Sequence, residues 1–327
     1  MIFIYFGALL ASFVLLFKCA DVFIDGSVGL AHVFNIPKLI VGIVLVGLAT
    51  TAPEFAVSVQ AAFLGHSEIS LGNAVGSVIC DDGIAMALAG LVATTAIVVN
   101  CRVLRIVGSF LLGIDFLAFI LVRNGEVSRL EGMILLLLLI PYFLIIIFLQ
   151  RRKKGFLPGQ EKQNKEPVPL SDQTRRKLIR KHVFYFIGGI IGVVITSRVI
   201  IWAAVRISIQ FSISETIIGL TVIAIGTSLP EISTAITAAR KGEGEIAVGN
   251  ILGADVLNIL WIIGMSAVVR PIVVDQQVIG FTFPFMILIV TVMLVLMRFR
   301  CRFGKIKGVV LLGLYAVYFL WTLFFLL

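Results

Sequence analysis

The segments G-L-A-T-T-A-P-E-F (residues 47–55) and A-I-G-T-S-L-P-E-I (residues 224–232) are two versions of one pattern, 177 positions apart. Each lies near the middle of an apolar run. Proline removes one backbone donor and crowds the carbonyl four residues earlier, here that of Ala49 or Gly226. A helix is expected to kink at each place and turn the carbonyls around Thr50 and Thr227 away from its axis. In hydrocarbon, irregular backbone persists only where protein or a polar cavity meets the freed groups. A dehydrated cation is such a partner.

A carboxylate follows each proline, Glu54 and Glu231. An ionisable side chain at this depth costs several kcal/mol (roughly 3 on insertion scales) and marks a functional site by default. A single glutamate could equally be a structural ion pair or a protonated hydrogen-bond donor between helices. A matched pair beside matched prolines favours a site. With Thr50, Thr51, Thr227 and Ser228 the glutamates form an all-oxygen set, which suits hard cations such as Ca2+ or Na+. Cys80 is the one soft ligand nearby, so copper and zinc-thiolate chemistry are disfavoured.

The pattern extends outward. Residues 42–83 lie over 219–260 without a gap, and the identities include Thr50, Pro53, Glu54, Gly65, Glu68, Gly72, Asn73 and Gly76. Chance similarity between hydrophobic segments would match Leu, Ile, Val and Ala, so duplication is the better account. After each Pro-Glu comes a second wall: G-N-A-V-G-S-V-I-C-D-D (72–82) and G-N-I-L-G-A-D-V-L-N-I (249–259). Glycines four apart permit close helix packing. Asn73, Ser77 and Asp81 share one helix face, as do Asn250, Ala254 and Asn258. Such a face can glue helices together or line a site, and the facing glutamates favour the site.

The remainder of the chain sets the class. Of its 327 residues 60% are hydrophobic and 14% charged, which suits a membrane protein and not a soluble one. Ten apolar spans are expected, five (within 1–150) on each side of a basic loop at 151–181, with the rest in 182–327. The fold class is an all-α polytopic membrane protein of ten transmembrane helices, arranged as two inverted five-helix repeats, because an odd number of spans per half inverts the second copy. The loop carries eight of the nine net positive charges, which places it in the cytoplasm and both termini outside. Clustered there, the charge speaks for topology in a cell membrane and against nucleic acid. The first run, 2–17, reads as a retained span and not a signal peptide. Cys19, Cys80, Cys101 and Cys301 have no CxxC spacing and support neither a disulfide framework nor a metal site. His32, His66 and His182 read as interfacial residues. Asp21 and Arg198 occupy equivalent positions and either pair or snorkel to opposite faces.

The paired segments resemble the two alpha-repeats of the sodium/calcium exchanger family, of the bacterial or archaeal type. That resemblance implies an antiporter, not an enzyme, that needs no cofactor and whose partners are small inorganic cations and the bilayer. It implies Ca2+ ligation by Glu54 and Glu231 with the carbonyls of Thr50 and Thr227. Flanking Na+ sites would use the same glutamates with Thr51, Ser77 and Ser228, while Asp81 and Asn258 line the centre. It also implies that the first and sixth spans slide across a fixed core, hinged around 26–37 and 208–214.

Three departures bear on the coupling ion. Ala254 stands where the family has serine, Asp81 and Asn258 exchange the usual sides of acid and amide, and Asp82 adds an acid expected to face away. Three carboxylates in one cavity cannot all remain ionised without cations, so Asp81 is expected to hold a proton in the cation-free protein. Na+/Ca2+ antiport is the leading reading, with Ca2+/H+ or Na+/H+ exchange through Asp81 as the alternative. A channel would need a continuous pore, and an intramembrane protease would need a dyad or an HExxH motif within the spans.

Overall fold

A computed structural model describes residues 2–33, 50–154, 172–242 and 244–325. Its helices are α1 (Ile2–Val33), α2 (Ala52–Leu64), α3 (Ser67–Val92), α4 (Cys101–Val122) and α5 (Arg129–Leu137, continued by Leu139–Lys154). After residue 171 come α6 (Asp172–Phe211), α7 (Glu215–Thr227), α8 (Leu229–Arg240), α9 (Gly244–Val269), α10 (Val278–Thr282 continued by Phe283–Arg298) and α11 (Lys305–Phe325). Among the described residues eight helices are long and apolar enough to cross a membrane, and the bent pair α7–α8 makes a ninth. The tenth expected span retains only α2. Its 13 residues reach about 20 Å at 1.5 Å per residue, short of the roughly 30 Å hydrocarbon core. The rest of that span, 38–49, lies outside the described residues.

Local chemistry fixes where the helices start. The Asn100 side chain accepts from the backbone N–H groups of Arg102 (3.1 Å) and Val103 (3.2 Å) to begin α4. At α5, Ser128 and Glu131 form a reciprocal capping box. Gly65 closes α2 at φ 97°, a conformation that favours glycine. The chain is not wholly helical. Strand β1 (Ile97–Val98) pairs antiparallel with β4 (Arg302–Phe303), and β2 (Glu126–Val127) with β3 (Ile272–Val273). Because α4 runs from β1 to β2, the two pairs tie connections at opposite ends of the bundle.

Element boundaries repeat at the 177-residue offset read from the sequence. Helix α3 opens at Ser67 and α9 at Gly244, and each contains one π-helical stretch, Asp81–Met86 and Asn258–Ile263. Such wide turns are frequent at functional sites. The equivalent helices α1 and α6 pack antiparallel: Tyr5 meets Trp202, and Phe23 meets Phe186. Two apolar cores result. The larger joins α3, α4, α9, α10 and α11. The smaller joins α1 and α6 to Val57, Ile69, Ile218 and Ile223.

Several sequence expectations need correction. Residues 151–154 and 172–181 are helical extensions of α5 and α6 and not loop. Of the first expected hinge, 26–33 are helical within α1, and 34–37 lie outside the described residues. Of the second, 208–211 are helical. Helix α6 reaches Phe211, and the break holds Ser212 at φ 56°. Asp21 and Arg198 form no ion pair, and the described side chains of both are exposed. Cys101 and Cys301 do form a disulfide, with Cα atoms 5.6 Å apart. They are 200 positions apart, and the β1–β4 pairing brings them together, which no local spacing reveals.

Candidate cation site

Both Pro-Glu segments break as their prolines require. Helices α7 and α8 meet at 43°, with Ser228 between them at φ −78°, ψ 4°. In the first half, Thr51 precedes α2 at φ −86°, ψ 5°. The second residue of each following helix is proline, and the third is the glutamate. Glu54 and Glu231 therefore sit in the first turns of α2 and α8, where the positive end of the helix dipole favours an anion.

The two carboxylates face a shared interior and not lipid. Glu54 is 1% exposed and Glu231 0%. Each acts electrostatically on the other, and Asp81 acts on both. Glu54 lies against Thr227 and Ser228, Glu231 against Thr50, and Asp81 against Ser228. Among the described residues, no oxygen of Glu54, Glu231 or Asp81 finds a partner other than these neighbouring hydroxyls, and the Ser77 hydroxyl and both polar atoms of Asn258 have none. Buried polar groups are nearly always satisfied. A buried set of oxygens of this kind fits a hard cation. Among the described residues no three His, Cys, Asp or Glu side chains converge as a metal cluster, so any ion here must draw on hydroxyl and carbonyl oxygens as well.

Asn73 and Asn250 hold the walls to the broken segments. Thr227 donates to the Asn73 amide oxygen at 2.9 Å, and Thr50 donates to that of Asn250 at 3.3 Å. These contacts exchange under the 177-residue offset. The Asn73 amide nitrogen also donates to the Glu54 carbonyl (3.2 Å) and to Ser58 (2.9 Å). Gly72 and Gly76 press against the backbone of α7 around Leu220, which is the close approach expected of them. The repeat equivalents of that stretch of α7, residues 39–47, lie outside the described residues. The Thr51 hydroxyl is buried, and its carbonyl accepts from Phe55 N–H at 3.0 Å.

Sequence reading missed a second acidic group. Asp82 turns from the glutamates, as expected, yet it meets Asp255 of α9, and Asp115 of α4 adds to the same field. All three are fully buried; the Asp82 and Asp255 carboxyls are placed to hydrogen-bond each other when one holds a proton, and no other partner meets the three among the described residues. The rule that flagged Glu54, an ionisable residue inside an apolar span, applies equally to Asp115 and Asp255. The repeat did not point to them, because their equivalents are Val292 and Val78.

A bundle of apolar helices enclosing paired, unpartnered carboxylates defines a multi-pass membrane protein with an oxygen-lined interior site. The family described as sodium/calcium exchanger protein matches residues 4–148 and 181–324. The inner membrane protein YrbG of Escherichia coli (strain K12) is 32% identical over 312 residues, covering 95% of this chain and 94% of YrbG. Sodium/calcium exchanger MaX1 of Methanosarcina acetivorans is 29% identical, covering 99% of this chain and 100% of its own. The putative antiporter CaxA of Alkalimonas amylolytica is 28% identical, covering 94% and 95%. Among solved structures, the sodium-calcium exchanger NCX_Mj soaked with Na+ and Ca2+ superposes with a TM-score of 0.60 at 25% identity, covering 97% of this chain and 98% of that one. The chain belongs to the sodium/calcium exchanger protein family. It is accordingly a membrane cation exchanger of the cation/Ca2+ antiporter type, a transporter and not an enzyme.

Proposed function

We propose that the protein exchanges Na+ for Ca2+ by alternating access, with Glu54 and Glu231 as the shared ligands. The observation that carries this reading is the pair of buried glutamates in the first turns of the two Pro-Glu helices, close enough to interact and with no basic partner among the described residues. Ca2+ takes six to eight oxygens. Two carboxylates and the carbonyls of Thr50 and Thr227 supply a core of that set. Na+ would use the same glutamates with Thr51, Ser77 and Ser228, while Asp81 and Asn258 line the centre. Asn73 and Asn250 act through their hydrogen bonds, Asn73 by fixing the Glu54 carbonyl and Thr227, Asn250 by fixing Thr50.

The matched element boundaries and the antiparallel α1–α6 pair support an inverted repeat of two five-helix halves. In such a repeat, exchanging the conformations of the halves exchanges the open side. The α1–α6 pair, packed over α2, α3 and α7 through the smaller core, is the unit that slides. The basic β1–β4 end, like the loop at 151–181, faces the cytoplasm by the positive-inside rule. Both termini then lie outside.

Ca2+/H+ or Na+/H+ exchange is the second reading. Ala254 removes one Na+ oxygen, and Asp81 is a third carboxyl beside the glutamates. Flux in liposomes decides between them. Vesicles loaded with Na+ should take up external labelled Ca2+ with no pH gradient. Uptake that follows the pH gradient and ignores Na+ would overturn Na+ coupling and establish the proton alternative.

A further inference from the structure

We infer that a groove between α4 and α10, at the β1–β4 end of the bundle, holds one anionic phospholipid. The groove is open on the outside of the bundle and has a volume of about 220 Å³. Its mouth carries Arg105, in the second turn of α4, and Arg298, the last residue of α10; further in, its walls are Leu112, Leu294 and Val295. Leu112 lies seven residues beyond Arg105, about 10 Å along the helix. Two cations at the level of the headgroups with an apolar slot behind them match the charge and the chain of a phospholipid. Guanidinium groups recognise phosphate oxygens through paired N–H donors.

The two arginines are available for this. Among the described residues neither meets a carboxylate; the Arg298 Nη1 rests 3.6 Å from the Cys101 sulfur. The neighbouring Lys307 differs. Its ammonium group is spent on the backbone carbonyls of Leu296 (2.6 Å), Phe299 (2.8 Å) and Arg302, which fixes the turn between α10 and α11. Arginines that merely snorkel at helix ends need no groove, whereas here an apolar channel leads away from them. The cytoplasmic leaflet, where this end is proposed to lie, is the one that carries anionic lipid.

Native mass spectrometry of the full chain, taken from mixed micelles of phosphatidylglycerol and phosphatidylcholine, tests the inference. One phosphatidylglycerol should be retained in preference to phosphatidylcholine. Arg105→Gln and Arg298→Gln should each lower that preference about fivefold, as expected for one basic residue near an anionic surface. Arg123→Gln, at the opposite end of α4, should leave it unchanged. Ser109 is exposed and lines the groove, so Ser109→Trp should fill the slot and abolish retention with both arginines intact. Thermal unfolding of each variant verifies that it is folded. Equal retention of the two lipids by the native protein would overturn the inference, as would full retention by Ser109→Trp, which would reduce the effect to surface charge.

Discussion

The Thr227 hydroxyl, in the second half of the chain, donates to the Asn73 amide oxygen, in the first half, at 2.9 Å. The reciprocal contact joins Thr50 to Asn250 at 3.3 Å. Each half therefore steadies the broken helix of the other. Ion ligands on mobile carbonyls need such support, because a freed carbonyl in an apolar interior otherwise has no fixed direction.

The two asparagines are unequal, and this can be measured. Asn73 makes three side-chain bonds, and Asn73→Ala strands buried groups at about 1–3 kcal/mol apiece. Asn250 has one such bond, the longer one, and its amide nitrogen is unpartnered. Thermal unfolding in detergent should show a larger loss for Asn73→Ala than for Asn250→Ala. A larger loss for Asn250→Ala would contradict this division of roles.

Gly226 precedes Thr227 and lies against the Phe13 ring of α1, where a Cβ would strike it. Gly226→Val should obstruct α1 and slow Ca2+ flux at least tenfold, a barrier increase of about 1.4 kcal/mol. Phe13→Ala in the same chain should restore part of the rate, since the obstruction is steric. A double variant as slow as the single one would place the effect elsewhere.

The pH dependence has a definite sign. Glu54, Glu231 and Asp81 act on one another inside one enclosure, so protons compete there with cations. Apparent Ca2+ affinity in flux should fall as pH falls, because protonation removes the negative charge that holds the ion. Asp81→Asn should flatten the profile. An unchanged profile in Asp81→Asn would exclude that residue as the site of competition.

The acidic group of Asp82, Asp255 and Asp115 has no basic partner among the described residues. Buried charges that crowd one another destabilise, and neutral replacements of similar shape are often tolerated or favourable. Asp255→Asn should therefore unfold at the native temperature or above in cation-free buffer. A marked loss of stability would mean that the carboxyl makes a structural bond absent from this conformation.

Legibility followed the repeat. The kinks at Pro53 and Pro230, the burial of Glu54 and Glu231, and the shared face of α3 could be read because proline geometry and charge in hydrocarbon are local and strong. The coincident π turns at Asp81 and Asn258 could not, since no side-chain rule marks them. Asn73 was legible as a polar face residue but not as a three-way bond, which depends on where Ser58 and Thr227 arrive in space. Asp115 and Asp255 have valines at their equivalent positions, so the repeat does not mark them. Cys101 and Cys301 meet through a strand pairing of two residues on each side, too short to leave a hydropathy pattern.

Equilibrium Ca2+ binding by titration calorimetry, in Na+-free buffer, bears most directly on the paired glutamates. The native protein should bind Ca2+, while Glu54→Gln and Glu231→Gln should each lose that binding although each remains folded by thermal unfolding. If either variant bound Ca2+ as the native protein does, the two carboxylates would not share one ion.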